Sequence, residues 1–212
     1  MGGKMKDFTV PMALVDFIPV LLFAIAAIML QRDLYNKMSK GAFALFAAGT
    51  IDIIFAGFCK AFYKLLYSVG VADFESLNKM FFPLQSIGFL LAGIGIVAMF
   101  THKQTENAAL SVAPPMLSGT MIFVSCMVIG LGMIYAILCI LSIRLKKPLL
   151  VAVFIISFCC SLSMGYLSSK DFSSSAMNWV AQAINIVGQG LLLIGALQLR
   201  RAGLAELLLN HK

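Results

Sequence analysis

The chain reads as six long apolar runs separated by short polar stretches: approximately Val10 to Leu30, Gly41 to Tyr63, Phe81 to Phe100, Met116 to Ile143, Leu149 to Ser168 and Asn178 to Leu199. At a rise of about 1.5 Å per residue, each run is long enough as a helix to cross roughly 30 Å of hydrocarbon. The runs are continuously apolar rather than alternating, which predicts helices and not a barrel. The fourth is longer than a crossing requires and predicts a tilted helix. The expected fold is therefore an all-α, six-transmembrane-helix bundle forming one polytopic membrane domain over 1–212.

The two halves, 8–100 and 116–201 joined by an outer linker 101–115, resemble one another. The first and fourth runs pair Ala24 with Ala136, Ile25 with Ile137, Ile28 with Ile140 and Arg32 with Arg144. The second and fifth pair Phe46 with Phe154 and Gly57 with Gly165; the third and sixth pair Asn78 with Asn178, Gln85 with Asn185, Gly88 with Gly188 and Gly95 with Gly195. Three spans per half, joined by loops that alternate sides, predict an inverted repeat. On that alternation, eleven of the 16 Lys and Arg residues fall on the side of the termini. The positive-inside rule then makes both termini cytoplasmic.

Composition agrees with the pattern. The chain is 61% hydrophobic and 12% charged, against about a quarter charged in soluble domains. Its net charge of +7 lies between and beyond the apolar runs, not in a patch interleaved with aromatics. That predicts contact with the bilayer and with anionic lipid headgroups at the cytoplasmic face, and no nucleic acid. The five cysteines all fall inside apolar runs, so a disulfide framework is not expected. The first run is too long for a cleavable signal, and Lys6 breaks the myristoylation pattern. No Asn-x-Ser/Thr sequon occurs, which is compatible with a bacterial inner membrane, and the plasma membrane is the expected location.

A few polar residues interrupt the spans, where each is costly. Asn178, Gln182, Asn185 and Gln189 recur at helical spacing and place four carboxamides on one face, opposite Val180, Ile184, Val187 and Leu191. Such a stripe must face another helix or a water-filled path. Gln85 stands on the corresponding face of the third span. Asp52 lies about 16 Å into the second span, near the bilayer centre, in the series Ala44, Ala48, Asp52, Ala56, Lys60; a carboxylate at that depth opens a proton-linked role. Asp16 precedes Pro19, whose missing N–H frees the Val15 carbonyl. The candidate substrate-binding set is Asp16, Asp52, Gln85, Gln182, Asn185 and Gln189. Lys60 and Lys64 are read as anchors snorkelling to the interface.

Catalytic signatures are absent. His102 and His211 lie outside the apolar runs, and there is no HExxH, phosphate loop, GxSxG or CxxC. No enzyme activity, cofactor or metal is expected. Two readings follow. One is a transporter or permease subunit binding a small polar or cationic solute, or a proton, near the midplane. The other is a non-transporting sensor or accessory subunit whose polar stripe binds a ligand or partner helix, as a homo-oligomer or with a partner subunit. A lipid-acting enzyme using Asp16 and Asp52 is the weakest alternative.

Overall fold

The computed structural model describes residues 9–101, 120–167 and 175–208. Among these the regular structure is entirely helical, in six rods. The first is broken into α1 (Val10–Val15) and α2 (Phe17–Leu34); the others are α3 (Lys40–Val69), α4 (Glu75–Thr101), α5 (Thr120–Arg144), α6 (Leu149–Leu167) and α7 (Ser175–Arg201). Five rods are long and apolar enough to cross a membrane, whereas the apolar part of α6, Leu149–Met164, is shorter. The residues Met116 to Gly119, expected to open the fourth span, lie outside the described residues.

Local chemistry sets the ends of these rods. The break at Asp16 falls where Pro19 cannot donate to Val15, so the first turn of α2 has no bond back to α1 at that point. Pro83 lies inside α4 without breaking it. The α3 helix starts on Ser39, whose hydroxyl accepts from the Ala42 N–H at 3.2 Å. It ends on Gly70 at φ 73, with Gly70 N–H bonded to the Tyr67 carbonyl and Val71 N–H to Leu66, a left-handed cap suited to glycine. The tail forms a 3-10 turn at Leu204–Glu206. Leu204 is fully buried, and Lys37 Nζ donates to the carbonyls of Ala205 (2.9 Å) and Leu207 (2.6 Å).

Each rod packs on the next in sequence, except that α2 also packs on α7 and closes the bundle. In lipid, apolar burial does not drive one helix onto another, so close approach through small residues and interhelical hydrogen bonds carry the association. The contacts fit that rule. A Cβ on Gly88 would lie 2.8 Å from the Gly49 carbonyl oxygen and 3.1 Å from Asp52 Cβ, and one on Gly95 would meet the Phe46 backbone. In the second half, a Cβ on Gly188 would meet Cys160 Cβ at 2.9 Å and the Ser157 carbonyl at 3.7 Å, and one on Gly195 would strike the Phe154 ring. Phe46 and Phe154 are both fully enclosed, at 1% and 0% exposure.

The directions of the rods correct the expected inversion. Between α4 and α5, Phe82 packs on Phe123, Gly130 on the Phe89 backbone and Arg144 over the Phe100 ring. Residue numbers rise together, so the two helices run side by side in the same direction. The first rod and α7 also run parallel: Gln182 bonds Met12 near their starts, and Lys37 bonds Ala205 and Leu207 near their ends. Hence α2, α4, α5 and α7 point one way, α3 and α6 the other, and the two halves share one orientation. Val10 and Arg201 stand at opposite ends of the bundle, as do Thr101 and Thr120. Apolar run length alone does not fix the end of the bundle at which each run starts, so alternation of sides was not obligatory.

Candidate functional site

The α7 stripe turns inward. Asn178 and Gln182 are each 3% exposed, while Val180 and Val187 are on the open side. Its amides are largely engaged with protein. Gln182 Nε2 donates to the Met12 carbonyl at 2.8 Å, and Gln189 Nε2 approaches Asn185 Oδ1 at 3.4 Å. Two buried carboxamide oxygens, Gln182 Oε1 and Gln189 Oε1, accept no hydrogen bond from the described residues. The Gln182 bond falls one turn before the break in the first rod and ties α7 to it.

At that break stands a buried group of charges. Asp16 Oδ2 lies 2.5 Å from Lys64 Nζ, with both side chains enclosed at 14% and 10% exposure. The approach is an ion-pair contact off the axis of an ideal hydrogen bond. One turn back along α3, the half-buried Lys60 holds its Nζ 4.0 Å from the Phe81 ring centre, a cation–π contact. Lys60 interacts electrostatically with both Asp16 and Lys64 and has no carboxylate within ion-pair range among the described residues. Both ammonium groups lie near the Asp16 carboxylate, and the α2 N-terminus adds partial positive charge. Nearby, Tyr63 Oη donates to Asp73 Oδ1 at 3.1 Å, closing the turn between α3 and α4.

This arrangement changes one expectation: Lys64 is a buried partner of Asp16 and not a snorkelling anchor. The amides of α4 and α7 lie on separate seams, because α4 packs on α3 and α5 and α7 packs on α6 and the first rod. The signal for Lys64 was present: it continues the i+4 series Asp52, Ala56, Lys60 by one more step.

Asp52 stands apart, three helical turns along α3 from Lys64, or about 18 Å. It sits at the margin between the buried residues Gly49, Ile53 and Ala56 and the exposed Ala48, Ile51 and Phe55. Its Cβ packs near Gly88, one turn from the half-buried Gln85. Its carboxylate has no hydrogen-bond or ion-pair partner among the described residues. The six candidate residues thus fall into groups: Asp16 with Gln182 at the break, Asn185 with Gln189 further along α7, and Asp52 with Gln85 on the α3–α4 seam. Two open surface depressions, one lined by Gln31, Arg32 and Phe43 and one between α6 and α7, are lined by none of the six. No cluster of His, Cys, Asp and Glu able to hold a metal occurs among the described residues. No family model, no curated protein and no solved structure matches this chain.

Proposed function

We propose that this protein is a small membrane transporter or permease subunit, and that the break in its first helix is where it handles solute. The observation that carries the reading is the buried Lys64–Asp16 pair with Lys60 beside it. Ionisable groups are retained at such depth, against their desolvation, chiefly where they serve a path or a site. Interrupted helices with convergent polar groups are the usual form of transporter sites. Here α1–α2 supplies the acid, α3 both cations and α7 an amide with an unsatisfied oxygen. The Lys60 ammonium, which has no carboxylate within ion-pair range among the described residues, favours a polar solute bearing a carboxylate or phosphate.

A duplicated three-helix unit supports the same reading. Under the sequence pairing, Gly49 corresponds to Ser157 and Asp52 to Cys160, and these are the residues that Gly88 and Gly188 pack against. Gly95 on Phe46 matches Gly195 on Phe154. Phe82 on Phe123 matches Gln182 on Met12 to within one residue. Repeats related by an axis along the membrane normal are one of the two kinds used by transporters. With all rods crossing one bilayer in the directions seen, the two ends of the described chain emerge on opposite faces. Arg32, Lys37, Lys40, Arg144, Lys146, Lys147, Arg200 and Arg201 then share one end, against Lys60, Lys64 and Lys79 at the other. The positive-inside rule makes the Arg144 end cytoplasmic, in a plasma membrane.

The test is uptake into proteoliposomes of a panel of radiolabelled small carboxylates, amino acids and phosphate esters. Accumulation is expected for at least one anionic member, with Lys60→Gln lowering it at least tenfold while expression and melting are retained. Background uptake of the whole panel by the unmodified protein overturns the reading. Asp52 favours a second one, an accessory subunit: an unpartnered carboxylate beside exposed Ile51 and Phe55 suits a partner helix that brings a hydrogen-bond donor. Under that reading, Asp52→Leu releases a co-purifying subunit.

A further inference from the structure

At the Arg144 end, α5 and α6 are joined by the tight turn Leu145–Pro148. Leu145 N–H returns to Leu141, Lys146 N–H to Ile143 and Lys147 N–H to Ser142. This closure places Lys146 in the left-handed region at φ 55, the only non-glycine residue with positive φ among those described. That position ordinarily takes glycine, and a side chain there costs of order 1 kcal/mol. Both Lys146 and Lys147 are exposed, and no carboxylate lies within ion-pair range of either among the described residues.

The two lysines stand at the mouth of an open groove of about 490 Å³ between α6 and α7. Its walls are Leu150, Val153 and Ile194, with Gln198 beside the mouth. Ile194 is 50% exposed. The groove therefore offers two unneutralised ammonium groups and an amide at one level and aliphatic side chains below. Those levels match the phosphate and the first acyl carbons of a phospholipid. Basic pockets between transmembrane helices at a charged face hold anionic headgroups in this way. The N-terminus of α6, a 19-residue helix, opens at the same mouth, and its dipole adds to the attraction for a phosphate.

We infer that the α6–α7 groove is a binding site for an anionic phospholipid, its phosphate held between Lys146 and Lys147 and one acyl chain lying along Val153 and Ile194. The site is independent of the transport reading. A charge worth keeping at its mouth also accounts for a lysine where the backbone favours glycine.

Native mass spectrometry of the detergent-purified protein tests this, with phosphatidylglycerol, phosphatidylcholine and inorganic phosphate as the probes. One phosphatidylglycerol is expected to be retained in preference to phosphatidylcholine. The Lys146→Gln/Lys147→Gln variant is expected to hold it roughly thirtyfold less well, since each lysine near an anionic surface contributes about 1 kcal/mol. Lys146→Gly separates folding from binding: it should melt no lower than the unmodified protein, yet retain less phosphatidylglycerol. Equal retention of the two lipids, undiminished retention by the double variant, or displacement by millimolar inorganic phosphate would each overturn the assignment.

Discussion

The first and second halves place equivalent residues in equivalent contacts but do so with different chemistry. In the first half the α3–α4 seam is a bare backbone contact: Gly49 and Gly88 bring two helices together without a side chain between them. In the second half the same level is a hydroxyl relay. Tyr135 Oη and Ser157 Oγ lie 2.7 Å apart, and Ser157 Oγ donates to the Gly188 carbonyl at 2.8 Å. The ionisable groups differ more. Asp16, Asp52, Lys60 and Lys64 have Val128, Cys160, Ser168 and Phe172 as their counterparts. The packing positions are shared, whereas the charges belong to one half. What the halves hold in common is best explained by helix packing, and what the first half holds alone is where chemistry is to be sought.

The largest expected effect lies in that unshared part. Asp16→Asn removes the carboxylate that faces the buried Lys64 ammonium and should lower stability by up to about 3 to 5 kcal/mol, read as unfolding in mixed micelles. Adding Lys64→Gln should recover most of the loss. If the double variant is no more stable than the single one, the two charges are not a pair.

Next in size is a contrast inside α5. A Cβ on Gly130 would collide with the Phe89 backbone, whereas one on Gly132 meets nothing within 4 Å. Gly130→Ala should cost roughly 1 to 3 kcal/mol by overpacking. Gly132→Ala should be neutral or stabilising by up to about 1 kcal/mol, the helix-propensity gain. Equal effects would mean that α5 presents another face to α4.

The relay supplies a smaller effect. Ser157→Ala removes the bridge between Tyr135 and the Gly188 carbonyl and should cost about 1 to 2 kcal/mol. Tyr135→Phe made on that background should add little, which a double-mutant cycle measures directly. Smallest of all, Asn185→Ala removes a 3.4 Å contact with Gln189 and should change stability by about 0.6 kcal/mol or less. A loss of several kcal/mol there would make the stripe a structural keystone instead of a modest seam.

Much of the fold was legible because apolar run length is a strong signal: the six rods lie close to the runs, and Pro19 marked the break. The glycine and phenylalanine pairings found residues that pack alike. Direction was not legible, because a polar stretch of given length says nothing about which end of the bundle it leads to. The site was read only in part. Asp16 and Gln182 were found as costly polar residues, but their partners were not, since a lysine near the end of a span has the same sequence signature whether it snorkels or turns inward. Lys64 does the latter because the broken first helix places a carboxylate within its reach. Asp52 was drawn toward the interior by its small neighbours, yet Ala44 and Ala48 are exposed and only Ala56 shields it.

The central claim is that the two halves share one orientation, and cross-linking between α4 and α5 tests it most directly. In a background with the five native cysteines replaced, paired cysteines at Phe82 and Phe123 and at Phe100 and Arg144 should cross-link rapidly in membranes with a short bis-maleimide. The pairs Phe82 with Arg144 and Phe100 with Phe123 should not react. Cross-linking of the second set in place of the first would make α4 and α5 antiparallel and the repeat inverted, contradicting the account.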